Sequence, residues 1–244
     1  MSLCNKCVSG VVHEGTPKLG EEKTIGGIKC WTATPTSDYP KDKMLLFITD
    51  IFGLPLNNNK LLISSFAENG FRVVAPDMFD GAAVDPEEMG KGNVDLKAFI
   101  GKHLPDAMPI LHKVMDELKS EGVQSFYAVG YCWGGKMTLE LAAAKEIVAG
   151  ATCHPSLLKF PDDIDALVKS GTPMYFAHPP EDGQFPPEAH KHADEVLTDK
   201  NLYRQDTFEG TSHGFAVRGD LSKPEIKKGK EQAFQNAVEF LARF

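Results

Sequence analysis

The run Ser125-Phe-Tyr-Ala-Val-Gly130-Tyr-Cys132-Trp-Gly-Gly135-Lys-Met-Thr-Leu-Glu-Leu-Ala-Ala-Ala144 decides the architecture. Ser125–Val129 is a short apolar run of the kind a buried strand shows. From Gly134 the residues read as helix through Ala144. Between them lies Gly130-Tyr131-Cys132-Trp133-Gly134, the pattern G-x-C-x-G, a nucleophile elbow with cysteine in the serine position. A strand that turns sharply into a helix strains its central residue, and flanking glycines let the neighbouring backbone approach. The cysteine then sits at a helix N-terminus, where the dipole and the N–H groups favour a thiolate. The amide of Trp133 is placed to stabilise an oxyanion. A small cysteine buried in a tight turn is the plainer alternative, and the agreement of strand, motif and helix favours the elbow over it.

The same residues fit G-x-x-x-x-G-K as far as Lys136, but Met137 stands where a P-loop needs Ser or Thr to hold magnesium. Thr138 is one residue out of register. A nucleotide site is therefore the weaker expectation.

Outward from the elbow, strand-like runs alternate with helix-like ones. Met44–Thr49, Arg72–Ala75, Ile147–Thr152, Pro173–Ala177 and Tyr203–Phe208 read as further strands. A helical segment ends at Asn69-Gly70, and another runs from Ala107 through Ile110, Leu111, Val114, Met115 and Leu118 to a stop at Glu121-Gly122. Glu188–Leu197 and the tail with Ala233, Phe234, Ala237, Val238 and Leu241 are helical too. The Gly- and Asp-rich segment Asp80–Pro105 reads as an excursion over the sheet. This order predicts an α/β protein, a mostly parallel sheet with helices on both faces. One domain over residues 26–244, preceded by an arm of residues 1–25, is the economical division.

Composition narrows the function. Of the 244 residues, 42% are hydrophobic and 25% charged, as in a globular chain. Lys and Arg number 26 against 34 Asp and Glu, a net charge of −8 without a basic stripe, so no nucleic-acid partner is expected. No apolar run nears the roughly 18 residues of a membrane span, and no membrane partner is expected. The first residues lack the apolar stretch of a signal peptide, which predicts a cytoplasmic protein. The odd count of five cysteines argues against a disulfide framework. Cys4-Asn-Lys-Cys7 is half a zinc knuckle without its other half, so two unpaired thiols and no metal are expected.

A nucleophilic Cys132 needs a base, and the base an orienting acid, in the chain order nucleophile, acid, histidine. His13, His103 and His112 come too early. His190 and His192, two apart on a helix, point to different sides. His154 and His178 leave too little chain for an acid ahead of them. His213, in the loop Glu209-Gly-Thr-Ser-His213-Gly-Phe after the last strand, stands where a base belongs. Asp182, in Pro179-Pro-Glu-Asp182-Gly after a strand, is the acid in the right order, with Glu181 as the alternative carboxylate.

Gly130-Tyr-Cys-Trp-Gly-Gly135, Thr49-Asp50-Ile51-Phe52-Gly53 after the first core strand, Pro76-Asp77 after the second and His213-Gly-Phe215 together resemble the dienelactone hydrolase family. The likeness runs from about Gly26 to the end, and Cys4–Pro17 resembles its fungal-type members. It implies the α/β-hydrolase fold, a small ester or lactone as substrate, and no cofactor. The matched triad is Cys132, Asp182 and His213. The Ile51 amide matches a second oxyanion donor beside that of Trp133. Asp50 stands where bacterial members have a glutamate that contacts the resting thiol, and its carboxylate is one methylene shorter. A carboxylate beside a cysteine disfavours the thiolate until substrate displaces it, which would protect the sulfur from oxidation.

Two departures bear on substrate. Bacterial members place two arginines around a substrate carboxylate. Here Gly81 stands at the first position and Val217 at the second, with Arg218 one place along as the remaining candidate for substrate binding. A carboxylate clamp needs bidentate geometry. An uncharged or bulkier ester or lactone is thus at least as well matched as dienelactone. The rival from another class is a hydrolase-fold protein without turnover, a ligand binder or a redox sensor working through Cys132.

Overall fold

Gly26 and Gly27, with φ of 57° and 77°, make the two-residue turn between β1 (Glu21–Ile25) and β2 (Ile28–Ala33). A Cβ on Gly26 would drive into the backbone carbonyl of Lys113, so no other residue fits there. β1 is an edge strand, exposed except at Ile25, and its Glu21-Glu-Lys23 start hides the two-residue alternation from the sequence. The computed structural model describes residues 11–244, and Cys4 and Cys7 lie outside the described residues. The chain divides into two units, Val12–Phe126 and Tyr127–Phe244, the second including Val11.

In the first unit β2 pairs antiparallel with β4 (Val73–Pro76), and β4 pairs parallel with β3 (Lys43–Ile48). The spatial order is β1-β2-β4-β3. Helix α1 (Asn57–Glu68) connects β3 to β4 and stops at Asn69-Gly70, where Gly70 has φ 89°, as the sequence predicts. The segment read as an excursion is more ordered than expected. It holds a short helix, α2 (Pro86–Gly90), and the start of α3 (Leu96–Ser120), whose Ala98 amide is capped by the Asp95 carboxylate at 3.0 Å. Pro105 and Pro109 lie inside α3, and proline in a helix interior normally signals a break, which is why its first turns were not legible. Of its apolar face, Ala107, Leu111, Val114, Met115 and Leu118 are buried as the periodicity predicts, and Ile110 is half-buried.

The second unit is built of strand–helix pairs: β5 (Ser125–Tyr131), α4 (Trp133–Ala143), β6 (Ala149–Cys153), α5 (Asp162–Ser170), β7 (Met174–His178), α6 (Pro187–Val196) and β8 (Tyr203–Thr207). A short α7 (Phe215–Arg218) and the tail helix α8 (Pro224–Leu241) follow. All neighbouring strands here run parallel in the order β5-β6-β7-β8, with Tyr127 opposite Ala149, Ala151 opposite Tyr175 and Phe176 opposite Gln205. β6 and β7 are buried at every residue, as expected of a parallel strand covered on both faces. His190 and His192 on α6 do face different ways. His190 packs its ring on Phe185, and His192 Nε2 lies 2.7 Å from Asp165 Oδ1. In such sheets the carboxyl ends of the strands carry the functional loops. Cys132 follows β5, His154 and Ser156 follow β6, Asp182 follows β7 and His213 follows β8.

Among the described residues, no helix is long and apolar enough to cross a membrane.

Candidate active site

Cys132 occupies the bend between β5 and α4 with φ 52° and ψ −113°. A non-glycine residue held at positive φ costs on the order of 1–3 kcal/mol, so its surroundings must enforce it. They do so through the backbone. Cys132 N–H donates to the Cys153 carbonyl at 3.1 Å, and the Cys132 carbonyl accepts from Gly135 N–H and Ser156 N–H, both at 3.0 Å. The elbow glycines are required by contact. A Cβ on Gly130 would strike the Gly134 carbonyl and Thr138 Oγ1, and one on Gly135 would meet Thr152 Oγ1 and the Pro155 ring.

The bend leaves Sγ at the opening end of an eleven-residue helix. Trp133 is its first residue, so its N–H points out of the positive end of the helix dipole. His213 Nε2 lies 3.1 Å from Cys132 Sγ, and His213 Nδ1 lies 2.8 Å from Asp182 Oδ2. All three residues are buried. The structure thus brings together the three side chains that chain order singles out, from loops separated by 31 and 81 residues from His213.

Each partner is itself held. Asp182 sits in a tight turn in which its Oδ1 accepts from Gln184 N–H at 2.9 Å and its carbonyl accepts from Phe185 N–H at 3.0 Å. Phe185 is fully buried, stacked on His178 at 4.2 Å between centroids and meeting Phe160 edge-on. His213 is followed by Gly214 at φ 88°, which starts α7. Burial by itself would lower the His213 pKa. The neighbouring Cys132 and the hydrogen-bonded Asp182 outweigh it and push the imidazole up to about 10.

His154, set aside by chain order, is a neighbour of this group. It is fully buried at φ 40°, and its ring meets that of His213 edge-on at 5.0 Å and that of Phe215 at 5.6 Å. Neither of its ring nitrogens has a hydrogen-bond partner among the described residues. Burial, with His213 and Arg218 nearby, holds its pKa well below the usual histidine range, so it stays neutral. Ser156 was not legible either: its Oγ lies 3.6 Å from Cys132 Sγ. The only sequence signal was position, since both follow a strand that neighbours β5.

The remaining expected site residues have these surroundings. Asp50 and Ile51 belong to the first unit and follow β3. Asp50 is fully buried, and its Oδ1 accepts from Asn59 Nδ2 at 3.1 Å and from Phe52 N–H at 3.3 Å. Asn59 also donates to the Gly53 carbonyl at 2.8 Å, so it fixes the Asp50–Gly53 turn from both ends, a role no motif announced. The Ile51 carbonyl accepts from Val84 N–H at 2.9 Å. Arg218 is buried at the end of α7 with its guanidinium folded back against Gly214. Lys136, the lysine of the rival P-loop pattern, is committed elsewhere: Nζ lies 2.9 Å from both oxygens of Asp163 and 3.1 Å from Glu140 Oε1.

Comparison with known proteins bears on the whole chain. The model of the dienelactone hydrolase family matches residues 28–244. The chain is 32% identical to the hydrolase pyvD of Aspergillus violaceofuscus, over 98% of this chain and 95% of that one. It is also 32% identical to dienlactone hydrolase 1 of Gibberella moniliformis, over 98% and 92% of the two chains. A solved Klebsiella pneumoniae structure described as a dienelactone hydrolase superposes with a TM-score of 0.72 at 16% identity, covering 93% of this chain and 99% of its own. That likeness shows the α/β-hydrolase fold.

Proposed function

Because the chain belongs to the dienelactone hydrolase family, and is a hydrolase of that kind, we propose that it opens a small ester or lactone through an acyl-enzyme on Cys132. The observation that carries this reading is the unbroken line of contacts from Cys132 Sγ through His213 to Asp182, at 3.1 Å and 2.8 Å.

His213 Nε2 takes up the thiol proton, and the thiolate attacks the substrate carbonyl carbon. Asp182 keeps the proton of His213 on Nδ1, so that Nε2 faces the sulfur, and it stabilises the imidazolium that forms. The negative charge that grows on the carbonyl oxygen meets the Trp133 N–H at the helix opening and, by family resemblance, the Ile51 N–H. The carbon–oxygen bond to the leaving group breaks, and the imidazolium returns its proton to the leaving alkoxide. In a lactone that hydroxyl remains tethered to the acyl chain. A water molecule, deprotonated by His213, then attacks the thioester, and the sulfur leaves and is reprotonated. No metal or organic cofactor enters these steps.

Asp50 is the proposed partner of the resting thiol. The family resemblance is what supports it; within its own unit the carboxylate is buried and accepts from Asn59 and the Phe52 amide. Substrate preference follows from the positively charged groups. Gly81 and Val217 offer none, and the Arg218 guanidinium is folded on Gly214, so an uncharged acyl group suits the chain at least as well as a carboxylate-bearing lactone. Kinetics over esters and lactones of graded size, with and without a carboxylate, test the reading beside Cys132→Ala. Turnover of some members that vanishes in the variant is expected. Alkylation of Cys132 with no turnover on any member would mark a thiol sensor instead.

A further inference from the structure

Ser156 grips Cys132 twice. Its N–H donates to the Cys132 carbonyl at 3.0 Å, and its Oγ stands 3.6 Å from Sγ, within reach of a hydrogen bond to sulfur. Cys132 lies 24 residues earlier in the chain, and the residues before Ser156 fix where the hydroxyl can go. The Cys153 carbonyl holds Cys132 N–H, His154 N–H is bound to the Ala177 carbonyl at 2.8 Å, and Pro155 lies against Gly135 with no room for a Cβ between them. Ser156 is itself buried. Among the described residues of this unit the sulfur therefore has two polar side-chain neighbours, the His213 imidazole at 3.1 Å and a hydroxyl at 3.6 Å.

A hydroxyl serves the sulfur in either protonation state without changing its own charge, as the imidazole must. It accepts from the S–H while the thiol is protonated, and it turns its own hydrogen toward the sulfur once the proton has left. A hydrogen bond to an ionised group out of water is stronger than one between neutral groups, so the hydroxyl favours the charged form. We propose that Ser156 is a fourth working residue of the site, whose hydroxyl donates to the Cys132 thiolate and so sets how much of the resting enzyme is armed at neutral pH. The proposal rests on Cys132 being the nucleophile and adds to it a residue that touches the reacting atom. Forming the thioester removes charge from the sulfur, so the hydrogen bond serves the resting enzyme and the departing thiolate of deacylation, and weakens in between.

Ser156→Ala is a clean probe, because it removes the hydroxyl and keeps the N–H that holds the elbow. The measurement is the rate of Cys132 alkylation by iodoacetamide against pH, followed by intact mass, with ester hydrolysis read in parallel. In Ser156→Ala the profile is expected to move to higher pH, and the rate near pH 7 to fall about tenfold. At high pH, where both proteins carry thiolate, the variant should alkylate at least as fast as the wild type, because an unbonded thiolate is the stronger nucleophile. Ser156→Thr, which keeps the hydroxyl, should follow the wild-type profile, and unchanged melting of Ser156→Ala separates the effect from loss of fold. Superimposable profiles for wild type and Ser156→Ala would overturn the proposal. Failure of the nucleophile reading looks different: wild-type alkylation would then go to completion with ester hydrolysis intact, while the comparison of profiles would still read the contact between hydroxyl and sulfur.

Discussion

Asp182 Oδ2 lies 2.8 Å from His213 Nδ1, and both side chains are almost wholly shielded from solvent. This one contact determines which nitrogen of the imidazole faces Cys132. With Nδ1–H donated to the carboxylate, Nε2 is the free base of the neutral ring and the acid of the charged one. The contact also supplies part of the field that raises the His213 pKa to about 10, against a burial effect that acts the other way.

Removing that charge should move the alkaline limb of catalysis. The imidazolium is the form that protonates a departing alkoxide, and Asp182 favours it. In Asp182→Asn the His213 pKa falls, so the high-pH limb of kcat/KM for an unactivated aliphatic lactone should move toward neutrality. The maximal rate should drop by about 10²-fold or more as the imidazole loses its tautomer. A pH–rate profile of the variant checks both. An alkaline limb left where the wild type has it would mean that Asp182 does not control His213.

The turn bearing Asp182 is fastened by Phe185, whose ring lies between His178, His190 and Phe160. Phe185→Ala should cost about 3–5 kcal/mol in urea denaturation, the usual price of an emptied aromatic site. If the ring also holds the carboxylate in place, kcat should fall more than KM changes. Lost stability with unchanged kcat would assign the positioning of Asp182 to the Gln184 and Phe185 amides alone.

How much of this was legible follows from where each signal resides. The elbow around Cys132 is local: strand, glycines and helix are contiguous, so the sequence carries the whole of it. Asp182 and His213 could be singled out, and lie together with Cys132, because the fold imposes an order on loops, and order survives in one dimension. Ser156 was missed, and His154 set aside, because their contacts arise from two parallel strands lying side by side, Tyr131 opposite Cys153, which no periodicity reports. The start of α3 was hidden by Pro105 and Pro109, and β1 by its charged residues. Asn59 looks like any polar helix residue until its two hydrogen bonds to the Asp50–Gly53 turn are seen.

His178 gives the fold a defined weakness toward acid. Burial, with His190 beside it, pushes its pKa down to about 3, from an ordinary value of 6.5. A base with a lowered folded pKa adds stability that is complete above pH 6.5 and drains away as the pH falls toward 3, because the unfolded chain takes up the proton first. Each pH unit in that window should remove up to about 1.4 kcal/mol through this residue. His178→Phe, which preserves a ring against Phe185, should flatten the decline of the urea midpoint between pH 6.5 and pH 5. An equally steep decline in the variant would place the acid sensitivity elsewhere.

The central claim is a covalent bond between substrate and the sulfur of Cys132. Mixing the protein with p-nitrophenyl acetate, quenching in acid within the first turnover and mapping the peptides by mass spectrometry tests it most directly. The account predicts a burst of nitrophenolate and one acetyl group on the peptide that contains Cys132, both absent in Cys132→Ala. Undiminished hydrolysis by Cys132→Ala, or an acetyl group carried on another residue during turnover, would contradict it.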